Sequence, residues 1–334
     1  MCGSSEMWRV VGHMGAVRLL GHSIESDRLA HAYLITGQPH VGKTTLALDL
    51  AAAVNCERTS PPCGECSQCL HVWGSRHADL QLLGVAEEEG RKAIGIDVIR
   101  DAAHQAHLNP FEGKSRVIII EGAEHLSDEA ANALLKLLEE PPPHLLLLLL
   151  TASPDLILPT IHSRCQRIDL HPLPTEQVVE ALTTRWEVPN EEAQELAKLS
   201  NGCIGWAKEA WLDSSIMETH DRRLERLTDT VAAGLEERFA YAAELAGLMP
   251  QQRTAMHETL DLWAEWWRDL LVAKATTEDD ATSSVDGLTK GALLSAIREI
   301  LRTQELLDMN INPRLAMESL MLSLPWVEGV ASQQ

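Results

Sequence analysis

The stretch Gly37-Gln38-Pro39-His40-Val41-Gly42-Lys43-Thr44 follows G-x-x-x-x-G-K-[ST] without a mismatch, directly after the apolar run 33–35 and directly before a helical pattern. This context constrains the chain strongly, because such a loop works only at the exit of a buried strand and the entry of a helix. Its glycines let backbone N–H groups turn onto phosphate oxygens, Lys43 reaches the β- and γ-oxygens, and Thr44 can ligate Mg²⁺. The helix N-terminus adds a field that favours anions. Gly37, Gly42, Lys43, Thr44 and Thr45 are therefore the candidate binding set for ATP or ADP with Mg²⁺. The alternatives are a Gly-rich turn, or a phosphate loop kept without nucleotide.

Around this motif the pattern HAYLITG then TTLALDLAAAV, RVIIIEG then DEAANALLKLLEE, and HLLLLLLTAS alternates short apolar runs with helical periodicity. That alternation predicts βα units around a parallel sheet buried on both faces. Pro172 and Pro174 close the region, and the helical patterns EQVVEALTTRW and EEAQELAKLS follow, stopping near Asn201-Gly202. Beyond about residue 215 every pattern is helical. The fold class expected is α/β followed by all-α, divided at 7–170, 171–214 and 215–328. The polar, acidic stretch 275–287 has little to bury and reads as a loop between helices. Trp263, Trp266 and Trp267 share one helical face, the signature of a helix core or of a packing edge toward another subunit.

A net charge of −21 excludes a protein that grips nucleic acid by bulk electrostatics. No charged-then-apolar leader opens the chain, and the run 145–150 is too short to span a bilayer, so no membrane association and a cytoplasmic location are expected. Met7 as well as Met1 stands as a possible start. Cys56, Cys63, Cys66 and Cys69 form C-x6-C-x2-C-x2-C in a turn-rich insertion after the phosphate-loop helix. Two C-x2-C steps with an upstream thiolate are what a closed, structural Zn²⁺ site uses, and a lobe without its own core gains stability from one. Cys2, Cys165 and Cys203 read as packing residues.

The strand 117–120 ends in Glu121-Gly122-Ala123-Glu124. A hydrolysing phosphate-loop enzyme places a Mg²⁺-supporting carboxylate and then a water-orienting one here. Glu121 can do the first; Gly122 cannot do the second. Glu124 could substitute only in a remodelled turn, so vigorous hydrolysis is not expected.

The stretches SDEAANALLKLLEEPPP and ILPTIHSRCQRIDL together resemble the clamp-loader branch of the AAA+ family, over residues 8–326 and with weaker motifs in the last third. Ser163-Arg164-Cys165 matches that family's SRC motif, which implies that Arg164 is an arginine finger offered in trans to a neighbouring ATP site. The bland alternative is a surface ion pair. The resemblance also implies that Val10 and Val11 line the adenine pocket, that Thr151 senses the γ-phosphate, and that a zinc module lies at 56–69. Core packing is the alternative for the valines and a purely structural role for the threonine. The three segments become an AAA+ module, a helical lid and a helical collar for oligomerisation. The partners implied are the motor (gamma/tau) and delta subunits of a hetero-pentamer, with the sliding clamp and primed DNA reached through the complex. Gly122, and Gly205 where motors carry a second sensor arginine, point to the rigid, stator-like member; the alternative is an ATP-hydrolysing motor.

Overall fold

A computed structural model describes residues 7–84, 86–88, 91–247, 253–276, 288–309 and 311–326. Two compact units emerge, one holding most of the chain up to Asp213 and the other the chain from Ser214.

In chain order the first unit runs α1 (Met14–Glu25), β1 (Ala32–Thr36), α2 (Lys43–Asn55), α3 (Ser67–Trp73), β2 (Leu80–Leu83), β3 (Ala86–Glu88), β4 (Arg91–Ala93), α4 (Ile96–Ala106) and β5 (Arg116–Glu121). It continues through α5 (Asp128–Glu139), β6 (Leu145–Thr151), α6 (Pro159–His162), β7 (Gln166–Asp169), α7 (Thr175–Arg185), α8 (Asn190–Leu199) and α9 (Ile204–Leu212). Five strands make one parallel sheet in the order β2-β5-β6-β1-β7, while β3 and β4 pair with each other.

The unbroken apolar runs of β5 and β6 follow from burial on both faces. Successive side chains of a strand point to opposite sides, and the two sides feed different cores. Tyr33, Ile35, Val117, Ile119, Leu146, Leu148 and Leu150 pack with Leu46 and Leu50 of α2. Leu34, Ile118, Ile120, Leu145, Leu147 and Leu149 pack with Ile99 and Ala102 of α4 and with Leu134 and Leu138 of α5. Helix α5 starts on Ser127, whose hydroxyl accepts from the Ala130 N–H, and carries Asp128 and Glu129 at the positive end of its dipole. Helix α8 ends where Asn201 and Gly202 turn left-handed (φ 48° and 83°). A Cβ on Gly202 would run into the Leu173 carbonyl oxygen, so the chain can turn that close to Leu173 only with glycine.

The second unit contains α10 (Ser214–Ala232), α11 (Leu235–Gly247), α12 (Arg253–Thr276), α13 (Lys290–Asp308) and α14 (Pro313–Ser323). Met256, Leu260, Trp263 and Trp267 form a buried stripe on α12, and Trp266 stands edge-on to Trp267 with centroids 4.9 Å apart. The tryptophan face is thus mainly core. Buried Arg238 donates to the carbonyls of Val231, Ala233, Met321, Leu324 and Pro325, tying the ends of α10 and α14 together. Of the acidic stretch read as a loop, 275 and 276 close α12 and 277–287 lie outside the described residues. Among the described residues no helix is long and apolar enough to cross a membrane.

Candidate nucleotide cleft and cysteine lobe

β1 delivers the chain into the phosphate loop at Thr36, whose hydroxyl bonds Asp169 at the end of β7. Gly37 is needed for close approach: a Cβ there would meet the Leu170 carbonyl at 2.6 Å. Gly42, at φ 110°, is the left-handed N-cap of α2. The loop's carbonyls are gripped from outside, that of His40 by the Gly205 N–H at 2.8 Å and that of Val41 by the His13 ring at 3.1 Å. Gly205 is explained by that grip, since a Cβ would sit 2.7 Å from the His40 oxygen.

Lys43 is folded back on its own loop, its Nζ donating to the carbonyls of Gly37 (2.6 Å) and Gln38 (2.8 Å). Burial lowers its pKa, opposed by Glu124 first and then by Cys203 and Glu121. Thr44 donates its hydroxyl to Glu121 Oε1 at 2.5 Å. The fold therefore brings the proposed Mg²⁺ pair, Thr44 and Glu121, into direct contact beside the lysine, although they are far apart in sequence. Thr45 follows on the first turn of α2, half-buried.

Gly122 lies at φ 69°, ψ 48°, a conformation that a side-chain-bearing residue adopts only under strain. Glu124 reaches back toward the cleft. Its Oε1 accepts from the Ala152 N–H just past β6, and its Oε2 is buried without a partner. Thr151 is buried at the end of β6; its carbonyl accepts from the Gly37 N–H and its hydroxyl from the Ser153 N–H. Val10 is buried with its Cγ2 3.5 Å from a Cβ built on Gly42, and Val11 is half-buried. Arg164 is placed apart from this group: its guanidinium donates to the Thr160 carbonyl (2.9 Å), to the Ser163 hydroxyl (3.2 Å) and to Glu139 Oε1 (2.7 Å).

The four cysteines converge. Cys56 caps the end of α2, Cys66 the start of α3, and all four sulfurs lie within 4.8 Å of one another, with Cys63–Cys69 and Cys56–Cys66 at 4.0 Å. A tetrahedron of sulfurs around zinc, with bonds of about 2.3 Å, has edges of about 3.8 Å. The donor set and its spacing fit, so these residues could hold a metal such as zinc. Cys165 is half-buried, with its thiol pushed up to about 12 by burial, while Cys203 Sγ lies 3.6 Å from Gln38 Oε1.

The sequence alone did not single out Asp49, a wholly buried carboxylate on α2, or the closeness of Glu124 to Lys43. An acid in the otherwise apolar run 46–54 was the available signal for the first.

Comparison with known proteins places these features among relatives. A family model described as DNA polymerase III, delta subunit, matches residues 12–174. A DNA polymerase III subunit delta' of Bacillus subtilis is 29% identical over 318 residues, covering 92% of this chain and 94% of that protein. Another delta' subunit, of Pseudomonas aeruginosa, is 38% identical over 180 residues, or 52% of this chain and 53% of that one. The tau subunit of Escherichia coli is 36% identical over 171 residues, but these are 51% of this chain and only 26% of tau. Similarity to tau thus spans half of the chain, whereas that to the Bacillus protein extends through both units.

Proposed function

The chain belongs to the clamp-loader branch of the AAA+ family, in its DNA polymerase III delta' group, and on that premise we propose that it is the stator-like member of a loader that places a sliding clamp on primed DNA. In this reading it acts in the cytoplasm, assembled with gamma/tau motors and a delta subunit. Residues 7–170 hold the nucleotide, 171–214 form the lid and 215–328 the collar. Lys43 and the loop amides hold ATP or ADP, Thr44 and Glu121 support Mg²⁺, Val10 and Val11 wall the base, and Thr151 faces the terminal phosphate. Zinc on the four cysteines is structural and holds the lobe together.

One observation carries the reading: the water-orienting position is a glycine in a left-handed turn, so the cleft can hold a nucleotide without a carboxylate placed to split it. Arg164 then contributes its charge to the neighbouring motor's ATP. It must exchange Glu139 for phosphate, an exchange made easy by the solvent exposure of both partners, 34% and 52% for the side chains. In the reconstituted complex, Arg164→Ala is expected to lower DNA-stimulated ATP hydrolysis at the site it serves by about 10³-fold or more, the range of trans arginine fingers, while assembly is retained. Unchanged turnover would remove the finger from the mechanism.

A second reading, a motor in its own right, is favoured by Glu124, whose unpaired Oε2 is buried in the turn after β5 and whose charge acts on Lys43. The isolated chain separates the two. Binding of ATP with little turnover supports the stator; brisk turnover abolished by both Lys43→Ala and Glu124→Gln supports the motor.

A further inference from the structure

Asp49 is unused by the chemistry above. A carboxylate in a core is costly unless its oxygens are bonded. Its Oδ2 accepts the backbone N–H groups of Arg9 (2.6 Å) and Val10 (2.8 Å). Its Oδ1 is buried, and beside it lies the equally buried indole N–H of Trp73, at the end of α3, which helps to hold the carboxyl's pKa down against burial.

Arg9 is held from three sides. Its N–H goes to Asp49 on α2, its carbonyl accepts from Arg185 of α7 at 2.7 Å, and its guanidinium lies over the Trp73 ring, 5.2 Å from the centroid. The neighbouring residues continue the junction. Met7 packs on Gly64, inside the cysteine lobe, so closely that a Cβ on Gly64 would lie 2.7 Å from its Cε. Val10 reaches the phosphate loop at Gly42.

We propose that residues 7–10 are a strap through which the cysteine lobe and α7 act on the base side of the nucleotide cleft, and that Asp49 is the positioning residue that sets the strap. This rests on reading the cleft as a nucleotide site. Asp49 touches no nucleotide; it fixes the backbone that carries Val10. The grips on the phosphate loop, from Gly205, His13 and Lys43, do not pass through Asp49. Loss of the carboxylate should therefore loosen the base wall and leave the phosphate cradle intact.

The test titrates ADP and inorganic tripolyphosphate into the zinc-loaded full chain. Asp49→Leu, close in volume but unable to accept, is expected to weaken ADP about tenfold, the equivalent of about 1.4 kcal/mol, with tripolyphosphate unchanged. Asp49→Asn keeps one acceptor and is expected to fall between, which keeps the test decisive if the leucine variant does not fold. Stripping zinc with a chelator should weaken ADP in the wild type and add little in the leucine variant. ADP affinity equal to wild type in Asp49→Asn, or parallel loss of ADP and tripolyphosphate in either variant, overturns the proposal. A wild-type chain that binds neither ligand instead overturns the nucleotide reading on which it rests.

Discussion

Lys43 and Asp49 lie on the same helix and show how one element handles two charges in opposite ways. The lysine, at the helix entry, is desolvated but has two carbonyl acceptors that a nucleotide's phosphates can replace. Asp49, deeper along α2, is buried with two backbone N–H groups on its Oδ2 and with the Arg9 charge acting on it. Burial pushes its carboxyl up to about 6 from 3.8, although the N–H groups of Val10 and Arg9 pull the other way. Because its folded pKa lies above its unfolded one, the stability this group contributes is fully present below pH 3.8 and is lost as pH rises through about 6. Between pH 7 and pH 4 the wild type should therefore gain stability relative to Asp49→Asn, which does not titrate, by an amount on the order of 2–3 kcal/mol. Urea denaturation of both proteins across that interval checks it; a constant difference would mean that the carboxyl titrates normally.

Much of the sheet and the cleft was legible because the signals are local and dense. β5 and β6 are unbroken apolar runs, and the phosphate loop is a contiguous motif. The smaller elements carry less: β2 is a four-residue, partly exposed strand, and α4, though amphipathic, is short and buries only Ile99, Ala102 and Ala106. Helices α1 and α9 likewise bury few side chains, Val17 and Leu20 in the one and Ile204, Ala207 and Ala210 in the other. Thr44 and Glu121 each stand out in the sequence, yet only the parallel sheet, with β5 beside β6 and β6 beside β1, brings them together. In the sequence Gly205 shows only as an absent arginine, while its backbone role against His40 is visible only in the fold. The cysteine lobe is the element whose integrity should depend on metal. It contributes Cys56, Cys66, Cys69 and Val72 to the core on the α2 side of the sheet, but its only helix is the seven-residue α3, too short to hold itself. Removing zinc is expected to raise proteolysis and amide exchange across residues 57–75 while β5 and β6 stay protected. Unchanged exchange in 57–75 after verified metal loss would make the cluster a bystander.

At the scale of the whole molecule, the cores divide as the chain does. The sheet has its own apolar layers on both faces, and the helices after Ser214 close around a separate cluster centred on Trp263 and Trp267. Separate cores imply separable stabilities, because a cavity is felt by the side chains that line it. Trp263 is fully buried and packs near Tyr241, with ring centroids 6.0 Å apart. Trp263→Ala should cost about 3–5 kcal/mol in the second unit. If the units unfold independently, the change will lower one thermal transition and leave the other in place, together with ADP affinity and the rate of zinc release to a chelator. If both transitions move together, the two cores are one cooperative system, and the second unit is then coupled to the first within a single chain.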